Sequence, residues 1–431
     1  MSEANNKFGK LLFYLLICSL SFTNLLNNSL VGTKIQVTEL VFLAVMFYLL
    51  FNWKKLQISF LWNKSLLLSA GLLALAVAIS SITANAWLEI VGFTYLIALA
   101  IATTLLLSIL KITRQTIVNA FILLGVITAI LGILGWCWYQ FTDIYTPLVR
   151  SAETYYPYFG FIGRAQGFHL TPMMYIAVLT IPIFFGVYAL TQQRFTNTHT
   201  LICAVLLIGA VLSLSKSILL IFLGLVYYFY RLYFPSKKLL VFGIIIPLFL
   251  ILQVGTNFFV LNKDTLDHKP ELFEYFNPQS TLFTIHDKAV FPTIYGHLKS
   301  TAFAMGIDHP LIGVGQNQFY HALYTYQESG IYPANFDLAD PHCTYIGAFA
   351  ELGLLGVMAL LYFIFSVYRT KDLGVDDFQL IFKILFAIIL IEGINADVLH
   401  FRHYWVLLGV WCWMLKTSSH TPNAMTRQIN A

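Results

Sequence analysis

Charge is scarce in this chain. Asp, Glu, Lys and Arg make up only 10% of its 431 residues, against about 25% in soluble domains, so an ordinary soluble enzyme is excluded. Disorder is excluded by the opposite excess: 58% of the residues are hydrophobic and 16% aromatic, whereas disordered chains have few apolar groups and much charge. Cysteine is sparse too. The five cysteines, Cys18, Cys137, Cys203, Cys343 and Cys412, show no C-x-x-C or similar spacing, which argues against both a disulfide framework and a thiolate metal site. The net charge of +5, from 25 basic and 20 acidic residues, is too small over this length for a nucleic-acid surface. Internal repeats and low-complexity tracts are lacking. What remains is a chain that crosses a membrane many times.

Apolar runs of about 20 residues cross the ~30 Å hydrocarbon core of a bilayer. Twelve candidates occur, at 8–27, 35–52, 66–84, 87–110, 117–141, 171–190, 199–215, 217–234, 239–260, 343–368, 378–397 and 400–416. Lys7 and Lys10 precede the first, but no small-residue cleavage pattern follows it, so it reads as a retained span. Placing the N-terminus inside puts sixteen Lys and Arg inside and nine outside, four of the nine in one long loop where the rule hardly applies. The expected fold is all-α: a polytopic bundle of about 12 transmembrane helices with both termini cytoplasmic. Residues 1–260 hold spans one to nine, 261–342 a large periplasmic loop region with short amphipathic helices, 343–416 spans ten to twelve, and 417–431 a cytoplasmic tail.

Loops as long as the 82 residues of 261–342 are uncommon and are usually functional. Within this loop 293–306 reads as an amphipathic helix, with Ile294, Leu298, Ala302 and Met305 on one stripe. Lys216 interrupts the joined seventh and eighth runs in LSLSKSILL; it is either a snorkelling lysine that marks a turn or a fixed cation for an anionic ligand. Arg164, in FIGRAQGFHLTP, suits bidentate phosphate binding or a headgroup contact. In DHPLIGVGQNQF, Gly313 and Gly315 make either a plain turn or one whose N–H groups face an anion. His342 stands at the mouth of the tenth run, where imidazole can act as a base near neutral pH or simply cap a helix. Asp397 and Arg402 read as a structural pair at the outer end. Asp264, Asp267, Asp337 and Asp340 read as solvated loop carboxylates rather than cation ligands.

Four stretches in order, GRAQGFHLTP, SLSKS, HPLIGVG and PHCTYIGAFAELGLLG, resemble the O-antigen ligase and polymerase superfamily of bacterial envelope glycosyltransferases. The resemblance extends from about residue 160 to 368 and is topological elsewhere. It implies an enzyme of the bacterial inner membrane that takes a glycan from a polyprenyl diphosphate carrier at the outer face. The glycan passes to a glycan, lipid or protein hydroxyl acceptor, with inversion and without a metal or other cofactor. The family's loop histidine matches His342, and the arginine of its serine–arginine turn matches Lys216. A second family arginine, on the helix leading into HPLIGVG, has no equivalent; His297 falls nearest, with Lys288 and Lys299 close by. Lysine and histidine grip a diphosphate less tightly than the planar guanidinium does, which favours a divergent polymerase or transferase over a ligase.

Elementary chemistry leads to the same expectation. Cleaving a sugar C1–O bond to diphosphate builds negative charge on the leaving oxygen, which preplaced cations stabilise. Lys216, Arg164 and one of Lys288, His297 or Lys299 are the candidate diphosphate ligands, and His342 the candidate catalytic base. The alternatives are a transporter or flippase using Glu392 and Asp397 as a proton relay, although no inverted repeat is evident, and a structural partner in an envelope assembly with a degenerate site.

Overall fold

The computed structural model describes residues 3–23, 25, 36–56, 63–151, 162–192, 196–233, 247, 251, 255, 257–262, 281–334, 336, 340–369 and 376–418. The helices longer than one turn are α1 (Glu3–Ser19), α2 (Val37–Phe51), α3 (Lys64–Thr83), α4 (Trp87–Leu110), α5 (Arg114–Thr142), α6 (Pro172–Gln192), α7 (Asn197–Leu212) and α8 (Ser217–Tyr233). They continue with α9 (Ile294–Asp308), α10 (Phe319–Glu328), α11 (Thr344–Tyr368), α12 (Asp377–Glu392) and α13 (Arg402–Ser418). Five of these, α3, α4, α5, α6 and α11, are long and apolar enough to cross a membrane, and α2, α7 and α8 are shorter apolar helices. The protein is a multi-pass membrane protein. The run expected as a ninth span, 239–260, lies mostly outside the described residues, and its end from Phe258 is strand rather than helix.

The expectation of an all-α chain needs correcting at the loops. Strands β1 (Val149–Ser151) and β2 (Gly163–Ala165) form an antiparallel ladder with Arg150 opposite Arg164. Strands β3 (Phe258–Asn262), β4 (Phe283–Ile285) and β5 (Lys288–Pro292) form a sheet in the order β3-β5-β4. FTIHDKAVFP alternates β-branched and aromatic residues around His286, whose φ of +55° turns the hairpin.

Polar side chains set the helix starts. Thr113, Thr196, Thr293 and Asp376 each accept an N–H from the first turn of α5, α7, α9 and α12. The apolar faces then sort by neighbour. α6 is buried along most of its length, whereas Leu354, Met358, Leu361 and Phe365 of α11 point outward, as a lipid-facing surface requires. The helices alternate in direction, so the bundle has two ends. At one, Arg114 at the start of α5 pairs with Asp376 before α12 at 2.5 Å. At the other, Glu39 at the start of α2 pairs with Arg402 at the start of α13 at 2.6 Å.

The loop region docks onto that second end through a broken helix. Gly353 inside α11 has φ +64° and ψ −162°, a conformation open to glycine and costly for other residues. The break exposes backbone that HPLIGVG fills. Val314 and Gly315 donate N–H to the carbonyls of Ala350 and Glu351 at 2.9 and 3.0 Å, and Leu354 donates to Pro310 at 2.8 Å. A Cβ on Gly313 would lie 2.2 Å from the Glu351 carbonyl carbon, and one on Gly353 2.4 Å from that of Leu311. The glycines therefore serve close packing, and the Val314 and Gly315 amides that an anion would need are already taken. The stripe expected at 293–306 is the face of α9 that meets the bundle: Leu298, Ala302 and Met305 are fully buried beside Ala350 of α11.

Candidate functional site

The turn between α7 and α8 is Ser213–Lys216. Leu214 takes a left-handed φ of +47°, and the Ser213 hydroxyl accepts the Ser215 N–H at 3.2 Å, which turns the chain tightly and projects Lys216 from its rim. Arg164 on β2 buttresses this turn: its Nε donates to the Ser213 carbonyl at 2.9 Å and its guanidinium reaches the Leu214 carbonyl at 3.4 Å. The sequence suggested Arg164 as a diphosphate ligand; the donors described here instead hold the loop that carries Lys216. Lys216 keeps an exposed face, yet the protein packed around the rest of it, with Arg164 nearby, lowers its pKa below the usual lysine value.

Helix α9 is the hub. Lys299 donates from Nζ to Asn257 Oδ1 at 2.9 Å and to Asn395 Oδ1, in the connection between α12 and α13. Its pKa is lowered, first by burial and also by the Lys216 ammonium, while Cys343 acts in the opposite sense. Of the three alternatives for the second cation, Lys299 is held by amide oxygens and has Lys216 among the charges that act on it. Lys288 lies exposed at the hairpin end of β5, paired across the ladder with Asn262. His297 is buried to 7% exposure, with its ring 5.3 Å from that of Phe336. Burial lowers its pKa, so the imidazole is a neutral hydrogen-bonding group at neutral pH rather than a cation.

His342 occupies a left-handed turn, φ +45°, a conformation uncommon outside glycine that often marks a functional site. Asp340 fixes it twice: Oδ1 accepts the His342 backbone N–H at 2.8 Å and stands 3.3 Å from Nδ1. Tyr295 of α9 meets the imidazole edge-on at 5.0 Å. Two residues later α11 starts, and Thr344 ties it to the α12–α13 connection, donating N–H to Gly393 and Ala396 and accepting the Val398 N–H. The connection that holds Asn395 against Lys299 is thus bound to the segment carrying His342. Asp340 was passed over in the sequence as a solvated carboxylate; the signal available there was its position two residues before the histidine. Asp264, Asp267 and Asp337 lie outside the described residues.

Behind this array is a second polar layer. Asp397 pairs with His400 at 3.0 Å, not with Arg402, which bonds to Glu39. The reason is local: 393–401 is an irregular connection that folds His400 back over Asp397 and leaves Arg402 as the first residue of α13. Gln316 links His400 to the buried Glu351 carboxylate at 3.3 and 3.2 Å. Burial alone would lower the His400 pKa, but the Asp397 carboxylate outweighs it, with Glu351 and Glu89 behind, and raises the value to about 9. Glu392, a candidate relay residue, accepts the Tyr404 hydroxyl at 2.5 Å.

Helix α9 thus sets Lys299 against two amide side chains and, through Tyr295, meets the histidine that Asp340 orients. An ammonium group of this kind suits an anion, and an imidazole oriented by a carboxylate can take a proton. Residues 201–361 match the family model described as O-Antigen ligase, a stretch running from α7 into α11 that includes Lys216, Lys299 and His342. No curated protein matches the chain. Over this segment the chain is similar to the O-antigen ligase and polymerase superfamily of glycan-transferring membrane enzymes.

Proposed function

We propose that this protein is a metal-independent, inverting glycosyltransferase of the bacterial inner membrane. It moves a glycan from a polyprenyl diphosphate carrier to a hydroxyl acceptor at the outer face. The observation that carries the reading is the His342 turn, set by Asp340 and met by Tyr295 of the helix that bears Lys299, within the segment that matches the O-Antigen ligase model. Lys216 and Lys299 hold the diphosphate, and Arg164 acts mainly by fixing the Lys216 loop. His342, set by Asp340, takes the acceptor proton as the acceptor oxygen bonds to the sugar C1. The C1–O bond to phosphate breaks with its electron pair remaining on the diphosphate. The charge that grows there is what two preplaced ammonium groups stabilise. A bound diphosphate favours the protonated form of both lysines, opposing the downward pull of burial on their pKa values. Attack opposite the leaving group inverts C1 in one displacement. The loop-bearing end of the bundle faces the periplasm, and both termini are cytoplasmic.

The test is transfer of labelled glycan from its lipid carrier by the full chain in proteoliposomes. His342→Ala lowers the rate about 10²–10⁴-fold at unchanged protein level and unchanged carrier affinity. A rate close to that of the parent would remove His342 from the chemistry.

A further inference from the structure

Beside Lys299 lies an open cleft of about 490 Å³ between the first turns of α9 and the β3-β5-β4 sheet, within the ~300–1,000 Å³ range of ligand sites. Its walls differ in character. His297, Lys299, Ser300 and Asn257 give hydrogen-bonding groups, and Phe258 and Leu282 give apolar surface. That combination suits a sugar, whose ring carries hydroxyls at its edge and C–H groups on its faces. A diphosphate alone would need neither the apolar surface nor a neutral imidazole. His297 is the telling residue: although more than nine-tenths buried, its Nε2 has no hydrogen-bond partner among the described residues. Buried polar groups usually have one, and the exceptions mark strain, function or an unseen partner.

Resting on the transferase reading above, we propose that this cleft holds the donor glycan at its carrier-linked end, with His297 as a hydrogen-bond partner of a sugar hydroxyl rather than a member of the diphosphate clamp. The choice of donor over acceptor follows from Lys299. It lines the cleft and, on the transferase reading, holds the diphosphate, so an occupant of the cleft lies next to that diphosphate, as the first sugar is joined to it. His297 is then a specificity residue for the glycan, and Lys216 is blind to it.

Binding of two probes to the full chain in nanodiscs separates these roles: bare undecaprenyl diphosphate, and the glycan-loaded carrier extracted from the cells that make this protein. His297→Phe weakens the loaded carrier about tenfold, the size of one lost hydrogen bond, and leaves the bare carrier unchanged; His297→Gln restores most of the loss. Leu282→Trp, which obstructs the cleft from the sheet side without touching histidine or lysine, gives the same selective loss. Equal weakening of both probes by His297→Phe, or full affinity for the loaded carrier in Leu282→Trp, overturns the glycan cleft and leaves the transferase reading intact. A parent chain that ignores the bare carrier refutes both.

Discussion

The two ends of the bundle use the same residue types to different effect. At the end with the Arg114–Asp376 pair, both partners are well exposed, 45% and 39%, and solvent shares their charge. At the other end Arg402 and Glu39 are only 17% and 19% exposed, Asp397 is folded against His400, and Lys299 is held by two amide oxygens. Charges withdrawn from water cost stability unless they are partnered, so a protein gathers them where their altered chemistry is of use. The contrast sets the loop-bearing end apart without reference to any motif.

Substitutions that cross this contrast should differ most. Lys216→Ala lowers glycan transfer about 10²-fold, whereas Lys216→Arg, keeping the charge, stays within about threefold. Equal rates in the two variants would show that charge at this position does not matter. Gly353→Ala, forcing a side chain into a left-handed backbone against Leu311, destabilises by about 2–4 kcal/mol, read as a clear fall in melting temperature and reduced membrane yield. A neutral Gly353→Ala would mean that the helix break can be remade in another way.

A smaller effect is expected from pH. His400 is raised to about 9 from an ordinary 6.5, so between these values the folded chain keeps a proton that the unfolded chain releases. Its contribution is complete below about 6.5 and fades as pH rises through 9. Melting temperature in detergent should fall across that interval, and His400→Gln should flatten the fall; a parallel fall in the variant would assign it to other groups. Smallest of all, Arg114→Ala at the solvent-shared end should shift stability by less than about 1 kcal/mol and leave transfer untouched. A marked loss of transfer in that variant would break the comparison itself.

Much of the helical frame was legible because the hydrophobic runs are long and the polar breaks sharp. The expected spans at 87–110, 343–368 and 378–397 begin within a few residues of α4, α11 and α12. Lys216 and His342 stood out for the same reason, as polar groups at the edges of apolar sequence. Less could be read where folding decides between neighbours. Lys299 and His297 are two positions apart on α9 and both flank its buried stripe. Only the folded packing of α9 holds one of them between two asparagines and buries the other beside Phe336. HPLIGVG read as a plain turn or an anion-facing one because nothing in the sequence announced that α11 breaks at Gly353. Asp397 was paired with the nearest guanidinium, and the irregular connection gave it an imidazole instead. The short ladders were missed because a few β-branched residues in a long loop give little periodicity to detect.

The splice between HPLIGVG and the interrupted α11 has a mechanical corollary. Backbone bonds run both ways across it, from Val314 and Gly315 into the helix and from Leu354 back to Pro310, so hinging the cap away would sever several main-chain contacts at once. A swinging lid is therefore the wrong picture for this part of the molecule. On the function proposed above, the carrier reaches its site sideways, past a segment riveted in place.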